Sequence, residues 1–248
     1  MKLTDCEIFP NAPITEALLD IKVQLPKGVT LDDLKGFHPD LKARFPEITE
    51  QKIFQAKFKI GKEPAYTPGQ NLSLGYLFRS QQDKKVVQYR FDGFTFNKLK
   101  PYENWSSLKS EAMELWEPYL EQIKPIKIVR IALRYINRIE IPLSMKHFNE
   151  YVLTNPEIAP NLPKKISHFL MRIELQNDEI PATAIITQTM EKPTKSQKVP
   201  LIFDVDVFYR GEYEKDMKEI WNDFEKLRNF KNDIFFNSIT DKTKELFR

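Results

Sequence analysis

Three segments in the first half of the chain alternate apolar and polar residues, with no helical period between them. They are KIFQAKFKI (52–60), LSLGYLFRS (72–80) and KVVQYRFDGFTFNKL (85–99). A side-chain period of two makes each a half-buried strand. A parallel crossover needs a dozen or more residues, usually a helix, and no helical segment separates these strands. The QQDK stretch between the last two suits a hairpin turn. Strands that follow one another in this way pair largely antiparallel, which confines the chain to the α+β class.

The remaining segments extend the pattern. Ile14 to Leu25 alternates, with Ala17, Leu19, Ile21, Val23 and Leu25 on one side, and reads as a strand. TLDDLKGFHPDLKARF follows as a helix, with Thr30 placed to cap it and an interruption at His38-Pro39. YENWSSLKSEAMELWEPYLEQI carries Trp105, Leu108, Ala112, Leu115, Trp116 and Tyr119 on one helical stripe, with Pro118 expected to kink or end it. The same order then recurs. IKIVRIALRYINRIEIPL is a long strand and SMKHFNEYVL a short helix capped by Ser144. SHFLMRIELQ, ATAIITQTM and VPLIFDVDVFY are strands, and EYEKDMKEIWNDFEKLRNF is a closing helix. The expected fold is therefore two β-α-β-β-β-α modules, residues 1–124 and 125–248, closely packed or merged into one domain. They would be related by a pseudo-twofold, with largely antiparallel sheets and long helices packed on one face. Two polar stretches, 61–71 and 191–198, would be connecting loops.

Composition removes several functions. The chain has 248 residues, and no apolar run reaches the roughly 18 residues of a membrane span. Asp5 and the lack of an apolar stretch near the start argue against secretion. A single cysteine, Cys6, excludes an internal disulfide and a cysteine-built zinc site, so a reducing cytoplasm is the expected compartment. Basic residues number 38 against 35 acidic, interspersed for a formal charge of +3, which ranks nucleic acid below other partners.

Catalytic chemistry has no local signature. His38, His147 and His168 lie in unrelated contexts, no metalloprotease, nucleophile-elbow, phosphate-loop or dinucleotide motif occurs, and Cys6 sits near a terminus. No catalytic residue and no cofactor are assigned, and the balance favours a protein that is not an enzyme. Asp204 and Asp206 share a strand face and could hold a divalent cation, but alternation produces the same spacing, and no third acid lies near in sequence. No metal site is assigned.

The central strand is the best candidate site. Val129, Ile131, Leu133, Tyr135, Ile139 and Ile141 form its oily face, broken by Asn137, while Arg130, Arg134 and Arg138 project on the other. The rigid guanidinium fork suits carboxylates and phosphates. Three arrangements satisfy it: an anionic ligand, a ladder of pairs with Asp204, Asp206 or Glu174, or a solvated face, with the ladder favoured because the acids are present. At the C-terminus, Phe235 and Phe236 are adjacent, so on a helix they point in different directions. With Phe247 they form a candidate docking surface for a partner, set against a helix folded back on its own sheet. Thr240 is placed to cap a last short helix.

NAPITEALLDI, YENW, VRIALRYINRIEIP and FFNSITDKTKELF occur in this order over nearly the whole chain. Together they resemble a sporadically distributed, uncharacterised family of bacterial and archaeal proteins of about this length, with the R-x-x-L-R-Y-I-N block the most specific element. The resemblance implies no particular activity. A patchy distribution of that kind resembles genes on mobile or antiviral-defence islands. The functional expectation is a non-enzymatic partner-binding subunit, joined to another protein or to itself. The second expectation is a binder of an anionic small molecule or nucleotide between the modules, and the third a nucleic-acid-associated protein.

Overall fold

The computed structural model describes residues 7–59, 65–163, 166–193, 197–213 and 217–248, with 55–59 and 65–70 described by backbone alone. Among the described residues nine strands form one antiparallel sheet: β1 (Ile14–Gln24), β2 (Glu47–Lys59), β3 (Ala65–Ser80), β4 (Lys85–Arg90), β5 (Gly93–Leu99), β6 (Lys127–Pro142), β7 (Leu170–Gln176), β8 (Ala182–Met190) and β9 (Lys198–Tyr213). Their order is β2-β3-β4-β5-β1-β6-β9-β8-β7, so the chain's first strand lies in the middle and β2 and β7 are the edges.

Register explains why one face is continuous core. Ile21 lies between Phe94 and Ile131, and Leu19 lies between Phe96 and Leu133. The Leu133 row continues through Val207 to Ala184. All of these side chains are buried, and each larger one contributes roughly 1.5–3 kcal/mol of hydrophobic stabilisation.

Helices cover that face. α1 (Leu31–Lys35) starts at Thr30, which caps it reciprocally with Asp33, and α2 (His38–Leu41) begins at the expected break. α3 (Trp105–Ile123) is capped by Asn104 and buries the anticipated stripe. The Tyr89 hydroxyl donates to the Leu115 carbonyl at 2.6 Å, and the Tyr119 hydroxyl donates to the Arg90 carbonyl at 2.7 Å. α4 (Met217–Ser238) lays Phe235 edge-on against Phe203 of β9, ring centroids 5.9 Å apart. The Trp105 indole donates to Glu225 at 2.9 Å, tying α3 to α4. α5 (Asp241–Lys244) is capped by Thr240 as expected. Among the described residues no helix is long and apolar enough to cross a membrane.

The expected pair of β-α-β-β-β-α modules is overturned. β1 pairs with β6 along ten register positions, which joins all the described strands in one sheet where two smaller ones were expected. The halves also differ in content. KVVQYRFDGFTFNKL is a hairpin rather than one strand, because Phe91 and Asp92 form a tight turn and Arg90 pairs with Gly93. Gly93 has φ +141, and a Cβ there would run into the Ile21 carbonyl, so the turn requires glycine. In the second half, the helix expected at SMKHFNEYVL is a single 3-10 turn, Phe148–Glu150, capped from His147 and not Ser144. Tyr151 and Val152 are drawn out of it by the C-terminal segment: Thr240 N donates to the Tyr151 carbonyl at 3.0 Å, and Val152 bridges Ile239.

Smaller expectations also change. α3 runs through Pro118, which with Glu114 and Glu117 faces solvent, so the carbonyl that loses its helical partner lies on the side open to water. Of the loop expected at 61–71, Ala65 onward belongs to β3, while 60–64 lie outside the described residues, as do Cys6 and 194–196.

Candidate functional site

On the face away from the helices, the arginines of β6 meet carboxylates. Arg130 donates to Asp20 on β1 at 3.1 Å and to Asp206 on β9 at 3.2 Å, and its guanidinium lies 4.5 Å from the Phe208 ring centroid. Asp20 also receives Arg90 of β4 at 2.9 Å and the Thr95 hydroxyl of β5 at 2.6 Å. One polar network thus crosses five adjacent strands, β4, β5, β1, β6 and β9. Arg134 grips Asp204 with two donors, at 2.9 and 2.5 Å. Arg138 holds Glu191 through two donors at 3.1 Å and also pairs with Glu140. Glu174 lies on β7, with β8 between it and β9, and among the described residues it takes no part in the ladder.

The electrostatics follow from burial. Burial acts to lower the Arg90 pKa, yet the charges of Asp20 and Asp92 outweigh it and hold the guanidinium above its ordinary value. Asp206 moves the other way: burial raises its carboxyl, and Arg130 and Arg134 offset this incompletely. Arg134 is raised chiefly by its hydrogen bond to Asp204. An arginine whose fork is already filled by a carboxylate has few donors left for a ligand. The geometry of Arg130, Arg134 and Arg138 is that of a ladder.

The remaining candidates are dispersed. His38 lies beside Phe78, His147 opens the 3-10 turn, and His168 contacts the Met190 carbonyl, so no two share a site. Among the described residues no group of three His, Cys, Asp or Glu side chains could hold a metal ion. Phe235 and Phe247 are 7% and 3% exposed, and Phe236 packs against the same core. With Phe9 they form one aromatic cluster, including Phe9–Phe247 at 5.4 Å and Phe235–Phe236 at 5.5 Å. The C-terminus is therefore folded back on its own molecule. Neighbouring phenylalanines both find cover because the segment around Phe9 supplies a second wall.

A different set of residues does converge on open space. Between the start of α3, the middle of α4, the centre of β6 and residues 7–14 is a cavity of about 210 Å³. The Tyr102 and Tyr135 hydroxyls bond to each other at 2.8 Å in its wall, with their rings edge to face. Burial raises Tyr135 well above a phenol's ordinary pKa and pushes Tyr102 up to about 12, so the pair is neutral. Two hydroxyls share two protons, and their mutual bond uses one, leaving one to donate.

From α4, Arg228 and Lys231 reach the same cavity, three residues apart and so on one helix face. The Lys231 ammonium stands 3.9 Å from the Tyr135 ring centroid. The acids at the rim are engaged elsewhere: Glu7 with Arg248 at 2.7 Å, and Glu103 with Lys98 at 3.5 Å. Arg228 approaches Glu225 no closer than 3.9 Å. Asn137, the polar break on the oily face of β6, lines the cavity and donates to the Phe203 carbonyl at 3.0 Å. Sequence reasoning missed Arg228 and Lys231, because two cations one turn apart read as a solvated helix face. Compared with models of known protein families and with curated proteins, the chain matches none.

Proposed function

We propose that the protein binds a small anion with an apolar body in the cavity between α3, α4 and β6. The observation that carries this reading is the convergence of Arg228, Lys231 and a neutral tyrosine pair on one cavity. Aromatic and aliphatic walls (Tyr102, Tyr135, Phe235 and Ile14) suit the body of the ligand, and the cations suit its charged end. Size limits the choice. A cavity of roughly 150 Å³ holds benzene, so 210 Å³ accommodates one ring with a carboxylate or phosphate.

Thermal unfolding with benzoate, phenyl phosphate and benzamide tests the reading. Ligand at a hundred times its Kd adds about 2.7 kcal/mol, which for a chain of this size is about 5–10 °C in Tm. The anions should raise Tm and the neutral amide should not, and Lys231→Met should abolish the difference. Equal effects of benzoate and benzamide, or no effect of either anion, would overturn it.

A further inference from the structure

The sheet ends at β7 with an edge that is unusual for a free one. Its sequence, LMRIELQ, has Met171, Ile173 and Leu175 on the core side, beside Gln188, Ile186 and Ala184 of β8. Leu175 is nevertheless 40% exposed and Leu170 is 70% exposed. On the other side are Arg172 and Glu174, both exposed, and among the described residues neither has an ion-pair partner within the chain. Isolated edge strands expose unpaired backbone donors and acceptors and act as templates for another strand.

We infer that β7 pairs antiparallel with β7 of a second copy, centred on Ile173, so that the sheets of two chains become one. The pattern of the strand is self-complementary about that residue. With Ile173 opposite itself, Arg172 stands opposite Glu174 of the second copy and Glu174 opposite Arg172. Directly opposed residues of an antiparallel pair share a face, so both ion pairs form on the polar side. On the core side Met171 meets Leu175, extending the apolar rows that Ile186 and Ala184 begin. Shifting the register by one residue would put Arg172 against an apolar side chain and flip the oily set to the wrong face. A twofold axis through Ile173 is the isologous arrangement that closes after two subunits.

Sedimentation across a concentration series tests this with a charge exchange. Wild-type protein should reach twice the 29.3 kDa mass of the chain. Glu174→Arg alone and Arg172→Glu alone each set like charges opposite in both pairs, and each should sediment as monomer. Mixed in equal amounts, the two variants restore opposite charges at both positions and should return to the dimer mass. Both positions are exposed, so circular dichroism should find both variants folded. A wild type monomeric at every concentration, variants that remain dimeric, or a mixture that stays monomeric would each overturn the pairing.

Discussion

The arginines of β6 and the Arg228–Lys231 pair of α4 lie on opposite sides of one sheet, and both groups were shaped by the same chemistry of cations near buried surface. Arg130 touches two aspartates, and Arg134 has a carboxylate seated in its fork. Arg228 and Lys231 instead face a cavity whose acids are held by other cations. The number of cations does not distinguish a site from scaffold. What distinguishes them is what they face. On β6 they face carboxylates of the neighbouring strands, and the charges hold strands together. On α4 they line a cavity.

The strongest way to break this contrast is to remove the carboxylate that two arginines share. Asp20→Ala leaves the buried Arg90 with only the half-exposed Asp92 and takes one partner from Arg130, so urea unfolding should show a loss of about 3–5 kcal/mol. A loss below about 1 kcal/mol, the range of exposed pairs, would mean that the ladder is ornamental.

Alkaline titration sharpens the cavity side. Burial raises Tyr135, Tyr89 and Tyr119 above the ordinary phenol value of 10, so the folded state keeps their protons longer than the unfolded chain. The stability they contribute is complete below pH 10 and lost as pH rises through the folded values. Each such group then steepens the fall by about 1.4 kcal/mol per pH unit. Tyr102→Phe should leave Tyr135 without its hydroxyl partner and move the onset, followed by tyrosinate absorbance. An onset unmoved by that change would separate the two hydroxyls energetically.

The smallest effect belongs to the outer end of the ladder. Arg138 and Glu191 are partly exposed, and Arg138→Ala should cost about 0.2–1 kcal/mol by urea unfolding. A loss matching that of Asp20→Ala would show the ladder acting as one cooperative unit.

What could be read from sequence divides along the distance between partners. The alternation of β6 and the D-x-D of β9 are local, and so Arg130, Arg134, Asp204 and Asp206 were legible as a pairing. Asp20 was not, because it joins Arg130 across 110 residues and nothing local says that β1 lies beside β6. The β4–β5 turn does leave a local trace. Val87 and Tyr89 face the core at odd positions and Phe94 and Phe96 at even ones, a change of parity that a continuous strand does not make. The 3-10 turn at Phe148–Glu150 had no such trace, since the hydrogen bond that unwinds its end comes from Thr240. The cavity was illegible for a related reason: Tyr102, Tyr135, Arg228 and Lys231 come from three distant segments, and each alone reads as ordinary core or surface.

The central position of β1 has a consequence for synthesis. The chain's first strand has both neighbours still to come, β5 and then β6. As the first half emerges, β5 can close one side of it, but the other remains an open, oily edge bearing Leu19 and Ile21 until a strand begun at Lys127 arrives. For that interval the nascent molecule has its most adhesive border where the finished one has its centre.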